Sequence, residues 1–206
     1  MTQYGFHFNG ARCTGCKTCA MACKDKNDLP PELGFRNVYE YTGGSWNQDG
    51  DLWTNDVYSY YMSVACNHCD SPACVEICPQ SALSKDEETG AVVRDLEACI
   101  GCGSCASACP YGAPKVDTEA MKSVKCDMCV DRVKAGEKPV CVEACPLRAL
   151  DFGPIEELRA TYGEEAAIAP LPDPSVTMPN LVITPSPKAK PADDTSGMVA
   201  NPRELS

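Results

Sequence analysis

Apolar and polar residues alternate along Val38-Tyr39-Glu40-Tyr41 and again along Asp56-Val57-Tyr58-Ser59-Tyr60-Tyr61, with Gly43, Gly44 and Gly50 between the two runs. A period of two puts every second side chain on one face of a sheet, so this stretch predicts a long β-hairpin around a glycine-rich turn. Its tyrosines, with Trp46 and Trp53, read as local packing or partner surface rather than a base-stacking platform. A smaller version follows, with Ala82-Leu83-Ser84 and Ala91-Val92-Val93-Arg94 on either side of the polar turn Lys85 to Gly90. Helical signals are short: Thr18 to Cys23, Ser104 to Cys109, and a segment from Ile155 bracketed by Pro154 at its start and Gly163 at its end. No apolar run approaches the ~18 residues of a transmembrane helix. The stretch Met1 to Phe8 lacks a basic segment followed by an apolar one, so no secretory signal is expected. Beyond Gly163 the periodicity fades. That stretch holds eight of the 17 prolines and no cysteine, which predicts either disorder or an extended arm ordered across another subunit.

Elements this short bury little on their own. Leu, Ile, Val and Phe make up 35 of the 206 residues and the formal charge is −11, a combination that by itself points to disorder. Sixteen cysteines change the picture, because bonds to something must replace the missing core. The acidic balance argues against a nucleic-acid partner, which requires a basic face.

The cysteines fall into four groups of four. Cys13, Cys16, Cys19, Cys23 and Cys99, Cys102, Cys105, Cys109 both read C-x2-C-x2-C-x3-C. Cys66, Cys69, Cys74, Cys78 read C-x2-C-x4-C-x3-C, and Cys126, Cys129, Cys141, Cys145 read C-x2-C-x11-C-x3-C. The last cysteine precedes Pro79, Pro110 or Pro146 in three groups, and Lys24 in the first. Disulfides fit poorly, since cysteines two or three residues apart seldom reach the required geometry. Zinc draws on two CxxC pairs and gives no reason for a third and fourth cysteine at these spacings. A 4Fe–4S cubane does: three close thiolates hold three irons, and the fourth cysteine reaches the other cluster of a pair.

That rule predicts crossed ligation. Cluster 1 takes Cys13, Cys16, Cys19 and Cys145, and cluster 2 takes Cys23, Cys126, Cys129 and Cys141. Cluster 3 takes Cys66, Cys69, Cys74 and Cys109, and cluster 4 takes Cys78, Cys99, Cys102 and Cys105. The expected fold class is α+β, with one ferredoxin-like two-cluster unit nested in another, pseudo-symmetric to it. The outer unit spans 1–56 plus 113–153 and the inner unit 57–112, a four-cluster domain over 1–153; residues 154–206 add a short helix and a Pro-rich arm. Asp131 to Val140 reads as a surface excursion. Only two histidines exist, and His68, between Cys66 and Cys69, reads as a cluster neighbour or surface residue rather than a ligand. Lys17, Lys24, Lys125 and Arg148 flank ligands, offsetting cluster charge or simply solvated. No nucleotide-binding glycine loop or nucleophile elbow is present, and no catalytic residue is assigned.

The four groups in this order, with Arg12-Cys13-Thr14-Gly15-Cys16-Lys17-Thr18-Cys19, Cys66-Asn67-His68-Cys69, Cys109-Pro110-Tyr111-Gly112-Ala113-Pro114 and Cys145-Pro146-Leu147-Arg148-Ala149-Leu150, resemble the iron–sulfur subunits of membrane-associated molybdenum oxidoreductases, the dimethyl sulfoxide reductase branch in particular. The resemblance covers essentially the whole chain. It implies a heterotrimer: a catalytic subunit with a molybdenum cofactor, this non-catalytic relay, and an integral membrane anchor that handles quinol. The implied path runs from quinol through clusters 4, 3, 2 and 1 to molybdenum. It also implies a peripheral location held by partners, on the extracytoplasmic face if the catalytic subunit bears a twin-arginine signal and otherwise on the cytoplasmic face. Nitrate reductase relatives carry tryptophan at the position of Cys102; the cysteine here implies a fourth 4Fe–4S cluster. Gly103-Ser104 and Gln80-Ser81 depart from close relatives beside that same cluster. The alternatives are a relay running toward quinone, or a zinc-bound assembly module without redox function.

Overall fold

The computed structural model describes residues 2–205 and shows a mixed α/β fold of short elements around small sheets. Strand β1 (Tyr4–Asn9) buries Phe6 and Phe8 and leads into helix α1 (Thr18–Lys26). The expected hairpin is present as β2 (Arg36–Gly43) and β5 (Tyr58–Ala65), antiparallel with Gly43 opposite Tyr58 and Arg36 opposite Ala65. Both faces carry buried residues, Tyr41, Tyr60, Met62 and Val64 on one and Val38 with Ser63 on the other, and the Tyr41 and Tyr60 rings meet at 5.5 Å. The glycine-rich turn is more elaborate than a turn. It carries a hairpin of its own, β3 (Trp46–Asp49) and β4 (Leu52–Asn55), with every residue of both strands exposed.

The inner part contains the hairpin β6 (Leu83–Lys85) and β7 (Val92–Arg94) and helix α3 (Ser104–Ala108) at the expected places, preceded by a short helix not read from the sequence, α2 (Ala73–Glu76). A further hairpin, β8 (Lys115–Asp117) and β9 (Lys122–Val124), gives no clear signal in sequence because its alternation covers only three residues a side. The excursion after Cys129 is partly helical: α4 (Val130–Lys134) buries Val133 and sets Asp131 3.1 Å from Lys26. Next come α5 (Val140–Glu143), β10 (Leu150–Pro154) and α6 (Ile155–Tyr162), the last starting after Pro154 and ending before Gly163.

The Pro-rich segment neither stays loose nor projects away. It folds back on the same chain. Leu181-Val182-Ile183-Thr184 forms β11 and pairs parallel with β1, whose other edge pairs antiparallel with β10. Gly197–Val199 forms β12 and adds to the free edge of β2. The physical reason is an apolar, β-branched run beside an open strand edge, where backbone pairing and burial act together. Tyr60 donates its hydroxyl to the Ala169 carbonyl at 2.7 Å, and the Asn201 amide donates to the Val38 carbonyl at 2.9 Å.

Asn180 ties this arm to the second cysteine group. It is fully buried and donates its side-chain amide to the His68 carbonyl at 2.9 Å and to Asp70 at 3.0 Å. Replacing it by alanine removes both bonds and takes this donor from the buried His68 carbonyl, while Asp70 keeps Lys85 at 3.1 Å, a cost of about 1–3 kcal/mol. In a chain of this size each kcal/mol lowers Tm by about 2–4 °C. Calorimetry of the iron-loaded Asn180→Ala protein checks this, and an unchanged Tm would mean that the arm is anchored elsewhere. Among the described residues no helix is long and apolar enough to cross a membrane.

Candidate metal centre

Each cysteine group begins with the same backbone device. The residue before the second cysteine takes a left-handed conformation: Gly15 (φ 70°), His68 (46°), Gly101 (69°) and Met128 (69°). Such a residue turns the chain sharply, so both thiols of a CxxC face one side. At Gly101 nothing larger fits, because a Cβ there would stand 2.2 Å from the Met121 carbonyl oxygen. The last cysteine of three groups is followed by proline, and the amide three residues on returns to the cysteine carbonyl: Ser81 to Cys78, Gly112 to Cys109 and Arg148 to Cys145, at 3.1–3.2 Å. In the first group Lys24 replaces proline, and α1 runs on through Cys23 to Lys26.

Twelve of the cysteines line three gaps, four to each. Cys13, Cys16, Cys19 and Cys145 (quartet 1) line a gap of about 340 Å³. Cys66, Cys69, Cys74 and Cys109 (quartet 3) line one of about 350 Å³, and Cys78, Cys99, Cys102 and Cys105 (quartet 4) one of about 390 Å³. Cys23, Cys126, Cys129 and Cys141 (quartet 2) also stand together, since Cys23 feels the charge of Cys141 and Cys129, and Cys126 that of Cys23. The quartets form a row. Cys74 and Cys105 share one apolar cluster, Cys66 shares another with Cys126 and Cys23, and Cys141 shares a third with Cys19 and Cys145. Quartets 4 and 3, 3 and 2, and 2 and 1 thus each share a cluster, and Cys69 of quartet 3 also lies in the one that holds Cys19, Cys141 and Cys145. Ten of the sixteen cysteines are buried, whereas Cys102 at one end and Cys16 at the other are exposed.

The donor set suits a cubane better than a single ion. Among the described residues no three His, Cys, Asp or Glu side chains close on one point as they do round a zinc ion. The quartets instead frame open gaps, and backbone amides already point at the sulfurs. Ala82 N–H donates to Cys78 at 3.3 Å, Ser123 to Cys99 at 3.4 Å, Met128 to Cys126 at 3.3 Å and Ala149 to Cys145 at 3.2 Å. Such bonds stabilise sulfur-borne charge and bear on cluster potential. Asn67 Nδ2 is buried at the quartet 3 gap with no protein partner.

Burial pushes the thiols of Cys23 and Cys74 up to about 12 and those of Cys13 and Cys69 to about 11. Burial, then Cys23 and Cys66, pushes Cys126 well above the usual range. The exposed ends behave oppositely: the hydroxyls of Thr18 and Ser104 lower Cys16 and Cys102. Buried sulfurs that hold their protons so tightly become ligands only when iron replaces the proton, so loading and folding are coupled.

Two buried polar residues have roles at which their sequence positions only hint. His68 is fully buried; Nδ1 accepts from Val92 N–H at 2.9 Å, which leaves Nε2 to carry the proton toward Cys126 Sγ at 3.7 Å. Burial, then Lys125, Lys85 and Arg36, holds it well below the usual histidine range, so the ring is neutral. Lys125 is not solvated but buried, donating to the carbonyls of Val92 and Cys126. A third, Arg36, does not stand out from the sequence. Its signal is the hairpin alternation carried one step upstream, which places Arg36 on the inward face with Val38.

A family model described as a 4Fe-4S dicluster domain matches residues 57–155, and one described as a 4Fe-4S binding domain matches residues 11–27. The B subunit of the anaerobic dimethyl sulfoxide reductase of Escherichia coli (strain K12) is 54% identical over 204 residues, 99% of each protein. That of Haemophilus influenzae (strain ATCC 51907 / DSM 11121 / KW20 / Rd) is 55% identical over 206 residues, 100% of each. The formate dehydrogenase-O iron-sulfur subunit of E. coli (strain K12) is 33% identical over 163 residues, 75% of this chain and 54% of that one. With sixteen cysteines gathered four by four and relatives matching end to end, the chain belongs to the family of anaerobic dimethyl sulfoxide reductase B subunits, proteins built around 4Fe–4S clusters.

Proposed function

We propose that the chain carries electrons between a quinol-handling membrane anchor at its quartet 4 end and a molybdenum catalytic subunit at its quartet 1 end. The observation that carries this is the row of four quartets running from exposed Cys102 to exposed Cys16. When bound, each 4Fe–4S group supplies a one-electron carrier. The chain's own residues hold it, shield it and set its environment. Crossed pairing joins neighbouring quartets through α2, α3, α1 and α5, so spacing along the row is fixed by the fold.

The two ends differ in character. Around quartet 4, Ile77, Leu96, Ile100 and Met121 are exposed, which supports an apolar partner there. Beside quartet 1, Arg12, Lys138 and Arg148 line an open polar cleft with Glu143 and Asp151, which supports a polar one. Electron flow toward molybdenum and a peripheral place on the membrane, held by those partners, follow from this assignment. The face is extracytoplasmic where the catalytic subunit bears a twin-arginine signal.

The repeated turns support a nested architecture. The outer ferredoxin-like unit takes 1–56 with 113–153 and the inner unit 57–112. Within each, a left-handed residue precedes the second cysteine, and in three of the four groups Cys-Pro closes the run. Residues 154–206 act as a strap over both.

Metal analysis tests the assignment. Anaerobically purified protein should contain about 16 iron atoms and about 16 acid-labile sulfides per chain. Zinc at one ion per four cysteines would replace the relay with an assembly module.

A further inference from the structure

Arg36 opens β2 with its side chain turned inward, and only 3% of its surface is exposed. Nη1 donates to the Ser63 carbonyl at 3.3 Å and to the Ser63 hydroxyl at 3.2 Å, and that hydroxyl lies 3.3 Å from Cys19 Sγ. The guanidinium carbon sits 4.9 Å from the centre of the Phe6 ring. Nε and Nη2 are buried and have no hydrogen-bond partner among the described residues, and no carboxylate pairs with Arg36 there.

A buried guanidinium without a counter-charge costs several kcal/mol, and this one cannot shed its proton. The groups acting on its charge are sulfurs: Cys141, Cys126 and Cys23 of quartet 2, and Cys19 of quartet 1. Four thiolates around a core of about +2 leave a net charge of about −2, and one added electron makes it more negative. The two free nitrogens are thus the donors, and the loaded quartets the acceptors, that each lacks alone.

We propose that Arg36 is the shared counter-ion of quartets 1 and 2 and a positioning residue that raises the reduction potentials of the groups they hold. A fixed cation favours the state with the extra electron, and the donors add hydrogen bonds that strengthen as that charge arrives. Quartets 3 and 4 lie further along the row and gain little. The inference rests on the cluster assignment above.

The test is a potentiometric titration of the anaerobically purified, iron-loaded protein, followed by electron paramagnetic resonance. Arg36→Met keeps the apolar stem beside Phe6 and removes the charge; Arg36→Lys keeps the charge and loses the planar fork. For Arg36→Met, two of four midpoint potentials should fall by a tenfold or larger change in the reduced-to-oxidised ratio at fixed potential, about 59 mV for a one-electron couple. The other two should hold, and Arg36→Lys should recover most of the loss. Four unchanged potentials in Arg36→Met, or equal shifts in all four, would overturn the proposal. If Arg36→Met fails to load iron, Arg36→Lys decides alone: outer potentials within about threefold (half that 59 mV step) of the parent's uphold it, and a tenfold fall overturns it. Fewer than four cluster signals in the parent protein would sink the cluster assignment instead, separately from the role of Arg36.

Discussion

Removing iron with a chelator under reducing conditions should abolish the cooperative melt of this chain and open it to protease. The reason lies in where the cysteines sit. Two of the apolar clusters, around Cys23, Cys66 and Cys126 and around Cys74 and Cys105, are small, and cysteines make up much of their buried membership; the largest cluster also takes in Cys19, Cys69, Cys141 and Cys145. Among the described residues no sheet exceeds three strands and the helices are of nine residues or fewer, so backbone structure holds little by itself. Metal-ligand bonding in small metalloproteins is worth about 10–16 kcal/mol per structural ion, against a total stability of about 5–15 kcal/mol for an ordinary domain. Far-ultraviolet circular dichroism and limited proteolysis before and after stripping read the effect directly. A stripped chain that still melts cooperatively would mean that the β2–β5 hairpin and the three-stranded sheet suffice alone.

The second large effect is expected from Cys102→Ser, set against Cys126→Ser. Cys102 is exposed, at the end of the row, and touches only Ser104 among hydrogen-bonding side chains. Its loss should release one iron and leave Cys78, Cys99 and Cys105 holding a three-iron group. Three-iron groups generally sit at higher potential than the cubanes they replace, so electrons enter and stall. Quinol-dependent turnover should drop at least about tenfold, equivalent to about 1.4 kcal/mol on the barrier. Turnover with an artificial donor acting directly at the catalytic subunit should persist. Cys126, by contrast, is buried beside His68 and the sulfurs of Cys23 and Cys66. Cys126→Ser should cost all the iron of quartet 2 and destabilise its neighbours. Iron analysis, a three-iron signal in oxidised Cys102→Ser protein and turnover with each donor separate the two cases. Normal quinol turnover in Cys102→Ser would leave the ligation intact but overturn the electron path through quartet 4.

Much of the site is legible in the sequence because cysteine spacing is local chemistry. A CxxC loop whose middle residue is left-handed needs only three or four residues to define itself, and Cys-Pro stops a helix where it stands. The hairpins of Val38 to Tyr61 and Ala82 to Arg94 are legible for the same reason. The fold-back of Leu181 to Thr184 is not, because a four-residue strand acquires meaning only from the edge it meets, and β1 lies far away in sequence. Arg36 escapes notice for a related reason. A single arginine at a strand start is ordinary on a surface, and only the tertiary structure shows it buried, with two nitrogens unpartnered and Ser63 between its third and Cys19. Lys125 misleads in the same way, since a lysine beside a cysteine looks solvated until its ammonium is seen among carbonyls.

The central position of β1 bears on how the chain is made. Phe8 pairs with Leu150 on one side and Ile183 on the other, so β1 has neither sheet neighbour until strands far downstream leave the ribosome, and both only once Ile183 is out. At about 5–20 residues per second, that interval is on the order of 10 to 35 seconds. Cys13, Cys16 and Cys19 wait for Cys145 through much of it, and Cys23 for Cys126, Cys129 and Cys141. The inner quartets, complete by Cys109, close first. Vectorial assembly is therefore inside out, and the half-made chain exposes thiols and an unpaired strand edge together. A nascent chain in that state depends on prompt iron delivery and on cover from chaperones, and shortage of either strands it before the outer half can close.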